Sequence, residues 1–213
     1  MSGPATNQPS PTRPQQTPFT AGGRLPANGH LIILSGPSGA GKSTVVRELI
    51  AHCPLPIELS VSATTRKPRA GEVEGREYHF VSCDEFERLR RSDQFLEYKE
   101  VFGRGDWYGT PRQQVEAGLQ AGKWMLLEID VQGALCIMAQ RPDAISFFVH
   151  PGSLEELAVR LRRRGTDDET AIRRRLEVAG EELQALKHYR HEIINREVML
   201  TAAEICNILH QYC

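Results

Sequence analysis

Residues Gly36 to Thr44 read GPSGAGKST, and they directly follow a short apolar run, His30 to Ser35 (HLIILS). A loop of the form GxxxxGK[S/T] in that position constrains the fold more than any other stretch of the chain. It needs a buried strand to deliver it, a tight turn of backbone amides, and a helix whose N-terminus faces whatever the loop encloses. Ser43 to His52 continues with helical periodicity, so strand, loop and helix are all expected. The residues Gly36, Pro37, Ser38, Gly39, Ala40, Gly41, Lys42, Ser43 and Thr44 are then the expected cradle for the phosphates of a nucleoside triphosphate. Lys42 would bridge the β and γ phosphates and Ser43 would ligate Mg²⁺.

Further apolar runs with buried-strand character lie at Leu59 to Ser62, Trp124 to Ile129, Ile145 to Val149 and Glu192 to Ile194, with helical patterns between them. That alternation predicts an α/β fold of the P-loop NTPase type, with a mostly parallel sheet flanked by helices. Two helix starts, SCDE at Ser82 to Glu85 and SLEE at Ser153 to Glu156, have the spacing of a capping box. Ala63 to Tyr108 is polar and charged with little continuous strand pattern, which predicts an insertion projecting from the sheet. Arg160 to Arg175 is strongly basic and broken by Gly165-Thr166, which predicts a mobile flap.

At 213 residues the chain suits one domain with a substantial core. Its 26 Lys and Arg against 27 Asp and Glu leave a formal charge of −1, so no overall field draws it to nucleic acid or to a membrane. Anion binding must come from local clusters. No apolar run reaches a membrane span and no secretory signal is evident. The five cysteines, Cys53, Cys83, Cys136, Cys206 and Cys213, are odd in number without metal-like spacing. They read as reduced thiols, and a cytoplasmic protein is expected. Residues 1–28 contain six of the thirteen prolines and few large apolar groups, a composition expected to stay a disordered tail, and their lack of Asp and Glu leaves an organelle-targeting segment as the second reading. The seven histidines, His188 and His191 among them, read as surface or packing residues.

A phosphate loop alone fits ATPases, GTPases, small-molecule kinases and motors. The lysines after the loop are Lys67, Lys99, Lys123 and Lys187, none preceded by Asn, so the NKxD base-reading signature of GTPases is missing. The second substrate is addressed by Ser60 to Phe80, SVSATTRKPRAGEVEGREYHF. Here Arg66 and Arg69 stand three residues apart, with Glu72 and Tyr78 following. Two neighbouring guanidiniums repel unless an anion joins them, and a forked pair near a hydroxyl suits a phosphate monoester.

This stretch, TTRxPRxGExxGxxYxF, together with the phosphate loop, resembles the guanylate kinases over nearly everything from Leu31 to Asn195. The resemblance implies Mg²⁺-dependent transfer of the γ-phosphoryl group of ATP to GMP or dGMP. It implies that Ser62, Arg66, Arg69, Glu72, Tyr78 and Tyr108 hold the GMP phosphate side, and that Glu97 accepts hydrogen bonds from guanine N1–H and the exocyclic amine. Thr110 would contact O6, and Asp130 would lie near the base or the metal. Val159 to Leu176 resembles the family's lid, with Arg160, Arg164 and Arg175 closing over the phosphates, and Asn195 would approach the adenine end of ATP. Lys42, Arg66, Arg164 and Arg175 are the implied catalytic residues.

The implied organisation is a tail, 1–28, and a domain, 29–213. The domain has a core of 29–62, 111–158 and 176–213, a GMP-binding insertion of 63–110 and a lid of 159–175. ATP and GMP are the implied partners, with no nucleic acid and no membrane, and oligomeric state is left open. Three features depart from the family pattern: a longer turn at Gly103 to Trp107, Glu128 where Asp is usual, and Arg196 after Asn195 where an acidic residue is usual. Two other readings remain at this point. One is a non-catalytic protein-interaction module of the same fold, and the other is a related P-loop kinase with a different phosphorylated acceptor.

The residue inventory suits the chemistry. A phosphate monoester is largely dianionic near neutrality, its second pKa being about 6, so its oxygen needs no general base. The difficulty lies in aligning two polyanions, which calls for cations in a site closed to water.

Overall fold

Period-two alternation of apolar side chains divides the central strands between two cores. In the computed structural model, which describes residues 29–101, 105–165 and 167–213, strand β1 (Leu31–Ser35) leads into the glycine loop and helix α1 (Lys42–His52). Next come β2 (Ile57–Leu59), β3 (Ala63–Thr64), β4 (His79–Phe80), α2 (Cys83–Arg91), β5 (Phe95–Val101) and β6 (Asp106–Pro111). The chain continues through α3 (Arg112–Gln120), β7 (Trp124–Glu128), α4 (Val131–Gln140), β8 (Ile145–His150), α5 (Leu154–Arg164), α6 (Glu169–Leu183), β9 (His191–Ile194) and α7 (Val198–Leu209).

Five of these strands form a parallel sheet in the order β2-β7-β1-β8-β9. Ile32, Leu34, Trp124, Leu126, Phe147 and Val149 face one way and pack on Val45, Val46 and Leu49 of α1 and on Ala202, Ile205 and Leu209 of α7. Leu31, Ile33, Met125 and Leu127 face the other way, onto Val115 of α3 and Ala134 and Ile137 of α4. Burying each such side chain contributes about 1.5–3 kcal/mol. The two filled cores therefore fix which edge of the sheet carries its strand C-termini, and loops there are free to hold ligands.

The second sheet corrects the sequence expectation. The stretch from Ala63 to Tyr108, read as having little continuous strand pattern, carries β3, β4, β5 and the start of β6, which form a sheet in the order β4-β3-β6-β5. β3 and β4 are two residues each, too short to show alternation, and β5 (FLEYKEV) is half polar because it pairs antiparallel with β6. Phe86 of α2 stacks on Phe95 at 4.6 Å between ring centroids, giving this sheet its own small core with Ala63 and Trp107. Gly109 is needed there, since a Cβ would sit 2.9 Å from the Phe95 ring.

Three smaller differences have local causes. β2 ends at Leu59, earlier than expected, because the chain turns away after Ser60 to start β3. The two capping boxes form only by half. Ser82 and Ser153 accept from the amides of Glu85 and Glu156, while the glutamate carboxylates are held by Arg88 and Arg160. Cys53 and Cys206, read as separate thiols, are joined in a disulfide, whereas Cys83, Cys136 and Cys213 are free and exposed. Among the described residues no helix is long and apolar enough to cross a membrane. The expectations for the 1–28 tail, for residues 102–104 of the long turn and for Thr166 lie outside the described residues.

Candidate active site

The C-terminal ends of β1, β7, β8 and β9 meet along one edge of the parallel sheet, and the glycine loop occupies its centre. Gly36 has φ +134°, and a Cβ there would lie 2.1 Å from the Val149 carbonyl oxygen of β8, so only glycine lets the loop leave β1 so close to its neighbour. Gly39 (φ +94°) fits under Leu157 and Leu161 of α5, and Gly41 (φ +88°) against the Asn195 side chain. The loop is thereby clamped between the first turns of α1, the α5 helix and the chain after β9.

Within this clamp the Lys42 ammonium donates to the carbonyls of Gly36 (2.7 Å) and Pro37 (3.0 Å). Desolvation holds it below the usual lysine range, opposed by the charges of Glu128, Glu182 and Asp130. The Ser43 hydroxyl donates to Glu128 at 2.6 Å. Asp130 caps α4 by accepting from the Gly133 amide (2.8 Å) and also accepts from Lys99 (3.1 Å). Glu182 of α6 is raised by burial and drawn back by Lys42. A hydroxyl and two carboxylates beside a phosphate loop are hard oxygen donors of the kind that suits Mg²⁺, so the residues present fit that ion.

Asn195 is 2% exposed. Its Nδ2 donates to the Ala40 carbonyl at 2.8 Å and its Oδ1 accepts from Thr201 at 3.1 Å. Its backbone oxygen accepts from Arg160 at 2.7 Å. It lies beneath the loop rather than on an open rim, which favours a role in holding the loop over the adenine contact suggested by the sequence. Arg175 of α6 reaches the loop as well, donating to Ser38 at 3.2 Å while paired with Asp167. Arg164 is exposed at the last turn of α5, just before the left-handed Gly165.

The second cluster is built on the smaller sheet. Arg66 donates to both oxygens of Glu72 at 3.0 Å and to the Tyr108 hydroxyl at 3.0 Å. Its guanidinium also lies 5.4 Å from the Tyr78 ring centroid. Glu72 further accepts from the Arg69 amide at 2.8 Å, and the Arg66 fork holds its carboxyl below the usual range. Glu72 is therefore an orienting group for Arg66, whereas the sequence grouped it with the ligand contacts. Tyr78 packs edge-on to Tyr108 at 5.6 Å, and burial raises its hydroxyl pKa. Arg69 is exposed, and Ser62 lies at the mouth of β3, its carbonyl accepting from the His79 amide.

Glu97 sits on β5 opposite Thr110 of β6 and accepts from its hydroxyl at 2.7 Å. Burial pushes the Glu97 carboxyl up to about 7, with the Thr110 hydrogen bond opposing and Asp130 adding to the rise. The floor beneath it is Gly133, where a Cβ would lie 2.8 Å from Glu97 Oε2. Lys99, Glu182 and Gly133 are the site residues that sequence reading missed. Nothing in the local sequence distinguishes Lys99 and Glu182 from other charged residues, and Gly133 carries no turn signal within its helix.

The comparisons match this arrangement. A family model described as guanylate kinase matches residues 28–212. A guanylate kinase of Rhodopirellula baltica is 55% identical over 184 residues, covering 85% of this chain and 87% of that protein. One from Trichormus variabilis is 47% identical over 182 residues, covering 84% and 90%. Among solved structures, guanylate kinase from Anaplasma phagocytophilum has a TM-score of 0.71 at 38% identity, with 88% of each chain covered.

Proposed function

This chain belongs to the guanylate kinase family, and from that premise we propose how its own residues divide the work of moving a phosphoryl group from ATP to GMP. The protein is a nucleoside monophosphate kinase, an ATP:GMP phosphotransferase. The observation that carries the assignment of roles is the pair of facing clusters. One is a glycine cradle around Lys42, the other a forked Arg66 with a half-buried carboxylate, Glu97.

On the donor side, residues 36–44 wrap the ATP phosphates, and Lys42 gives up the Gly36 and Pro37 carbonyls to reach them. Asn195 and Arg160 hold the loop from below, and Arg160, Arg164 and Arg175 belong to a lid spanning 159–175. The Ser38 hydroxyl already accepts from Arg175, so closure needs little movement of that side chain. Ser43, with Glu128 and Asp130 near it, would hold Mg²⁺. When bound, the ion neutralises charge on the phosphates and orients them.

On the acceptor side, within an insertion of 63–110, Arg66, Arg69, Tyr78, Tyr108 and Ser62 hold the GMP phosphate, and Glu72 keeps Arg66 pointed at it. Glu97 receives the two adjacent N–H donors of guanine, Thr110 meets O6, and Asp130 with Lys99 closes the base pocket. Adenine offers no such donor pair and would leave a buried carboxylate unmatched. The phosphate oxygen of GMP attacks in line, and no side chain need remove a proton. The surrounding cations stabilise charge on the transferring group, and the closed lid keeps water from it.

A coupled ADP-release assay with Mg-ATP and GMP, AMP, CMP or UMP tests this reading. GMP turnover is expected to exceed AMP turnover by at least about a hundredfold in kcat/KM. Equal use of AMP, or folded protein inert with GMP, overturns it.

The Gly133 contact supplies a separate prediction. A methyl at that position meets the end of a flexible side chain rather than backbone, so Glu97 shifts and the fold survives. Gly133→Ala is expected to raise the KM for GMP about tenfold, because the carboxylate must move a fraction of an ångström from its place in the base pocket. The KM for ATP and the melting temperature should hardly change. An unchanged GMP KM would show that the carboxylate tolerates displacement.

A further inference from the structure

The nucleotide chemistry leaves one buried pair of reactive groups unused. Cys53 caps the C-terminus of α1, the helix that opens with Lys42 and Ser43, and Cys206 lies in α7. They are 8% and 1% exposed, with Cα atoms 5.8 Å apart, a separation that allows a disulfide without backbone movement. We propose that Cys53 and Cys206 are a reversible oxidation site, exchanged through Cys53 by small disulfides and dithiols, that fastens the far end of the phosphate-loop helix to α7.

The geometry gives the exchange a direction. Cys53 is the more exposed of the two residues, at 8% against 1% for Cys206, so an external reagent meets Cys53 first. One turn beyond Cys206, the His210 ring nitrogen Nδ1 lies 2.7 Å from the Cys206 carbonyl and 3.7 Å from its sulfur. Donating its proton to that carbonyl, it also stands as an N–H group beside Sγ. Cys206 is thereby the better leaving thiolate.

In oxidation, the Cys53 thiolate attacks a small disulfide RSSR, breaking its S–S bond and releasing one RS⁻. The Cys206 thiolate then attacks Cys53 Sγ, forming the internal bond and releasing the second RS⁻. The two thiol protons end on two RSH, and the two electrons lost by the cysteines reduce RSSR. A dithiol reverses the sequence. In a reducing compartment such bonds are transient and redox-sensing rather than permanent.

Closing the bond completes a ring of contacts. Asn195 on Ala40 and Thr201 on Asn195 already tie the start of α7 to the loop, and the disulfide ties α7 to the other end of α1. The helices share apolar packing without it, so reduction leaves the fold standing. The cross-link spans 153 residues of sequence, and constraining so long a loop in the unfolded chain is worth about 5–15 °C in melting temperature. Lys42 lies at the opposite end of the helix, and kcat at 25 °C is expected to stay within about twofold between the two states.

The test uses the full chain equilibrated with glutathione disulfide or with dithiothreitol, followed by alkylation in denaturant, melting and an ADP-release assay. All five cysteines are expected to alkylate in the reduced sample, whereas in the oxidised one Cys53 and Cys206 resist alkylation as one internal disulfide carrying no glutathione, whatever mixed disulfides the exposed Cys83, Cys136 and Cys213 form, and the oxidised sample melts higher. Cys53→Ser is expected to melt like the reduced wild type and to ignore reductant. Five reactive thiols under both conditions, or melting temperatures that coincide, overturn the proposal. So does one equivalent of zinc in protein isolated without reductant, lost in Cys206→Ser, since Cys53, Cys206 and His210 would then be metal ligands.

Discussion

Lys42→Ala is expected to lower kcat by about a thousandfold or more, equivalent to about 4 kcal/mol of barrier. The Lys42 ammonium stands in a partly desolvated loop among three carboxylates, Glu128, Asp130 and Glu182, whose charges oppose the effect of burial on its pKa. A cation fixed there stabilises charge on the transferring phosphoryl group far better than a cation in water, because the low dielectric strengthens the attraction and no solvent has to reorganise. Alanine removes the only loop side chain that carries a positive charge, and it leaves the three carboxylates facing the incoming triphosphate. ATP binding should therefore weaken along with turnover, so that KM for ATP rises as kcat falls. The effect on folding is modest by comparison. The Gly36 and Pro37 carbonyls lose one donor at a cost of about 1 kcal/mol. Steady-state kinetics at saturating GMP, paired with a melting curve, separates the two. A loss of less than tenfold in an intact protein would remove Lys42 from the chemistry.

The difference between what was and was not legible in the sequence follows from locality. The phosphate loop is a contiguous signal, because one strand, nine loop residues and one helix carry their constraints within a single stretch of chain. The parallel strands are legible for a similar reason. Trp124–Glu128 and Ile145–His150 are buried on both faces and so read as unbroken apolar runs. Glu97 is the opposite case. In isolation FLEYKE suggests an exposed helical glutamate, and it becomes a half-buried strand residue only because β5 pairs with β6 and Gly133 lies beneath it. Lys99 and Glu182 are far apart along the chain, and they join the site only when the second sheet and α6 come to the same edge. Spacing placed Glu72 beside Arg66 without revealing that both its oxygens accept from that guanidinium. Cys53 and Cys206 read as reduced thiols because pairing over 153 residues leaves no sequence trace. The family resemblance supplied what locality could not, pointing to Glu97 and Thr110 as partners before the strand pairing that joins them was in view.

Glu97→Gln is expected to lower kcat/KM for GMP by about a hundredfold to a thousandfold, from the loss of two charge-assisted hydrogen bonds and the gain of a donor facing a donor. The carboxylate can accept from both guanine N–H groups at once, whereas the amide must turn its NH₂ toward one of them. Protonation produces a similar mismatch in the wild type. The Glu97 carboxyl titrates near 7 in the free protein, and only the ionised form matches guanine. Below pH 7 a proton competes with GMP, and the apparent affinity should fall about tenfold per pH unit, while above pH 8 it should be flat. The phosphate of GMP gains its own proton near pH 6, so the wild-type slope contains both effects and the Glu97→Gln variant retains only the phosphate's. The difference between the two profiles isolates the carboxyl. Stability moves the other way. A carboxyl raised above its unfolded value of 4.5 binds its proton more tightly in the folded state, so the wild type loses stability as pH rises from 4.5 through 7. The amide escapes that loss, and the melting temperature of Glu97→Gln relative to wild type should be higher at pH 8 than at pH 5. A variant that is inactive with GMP yet more stable at pH 8 has lost recognition rather than fold. A variant that keeps the wild-type pH profile for GMP would instead place base recognition elsewhere in the pocket.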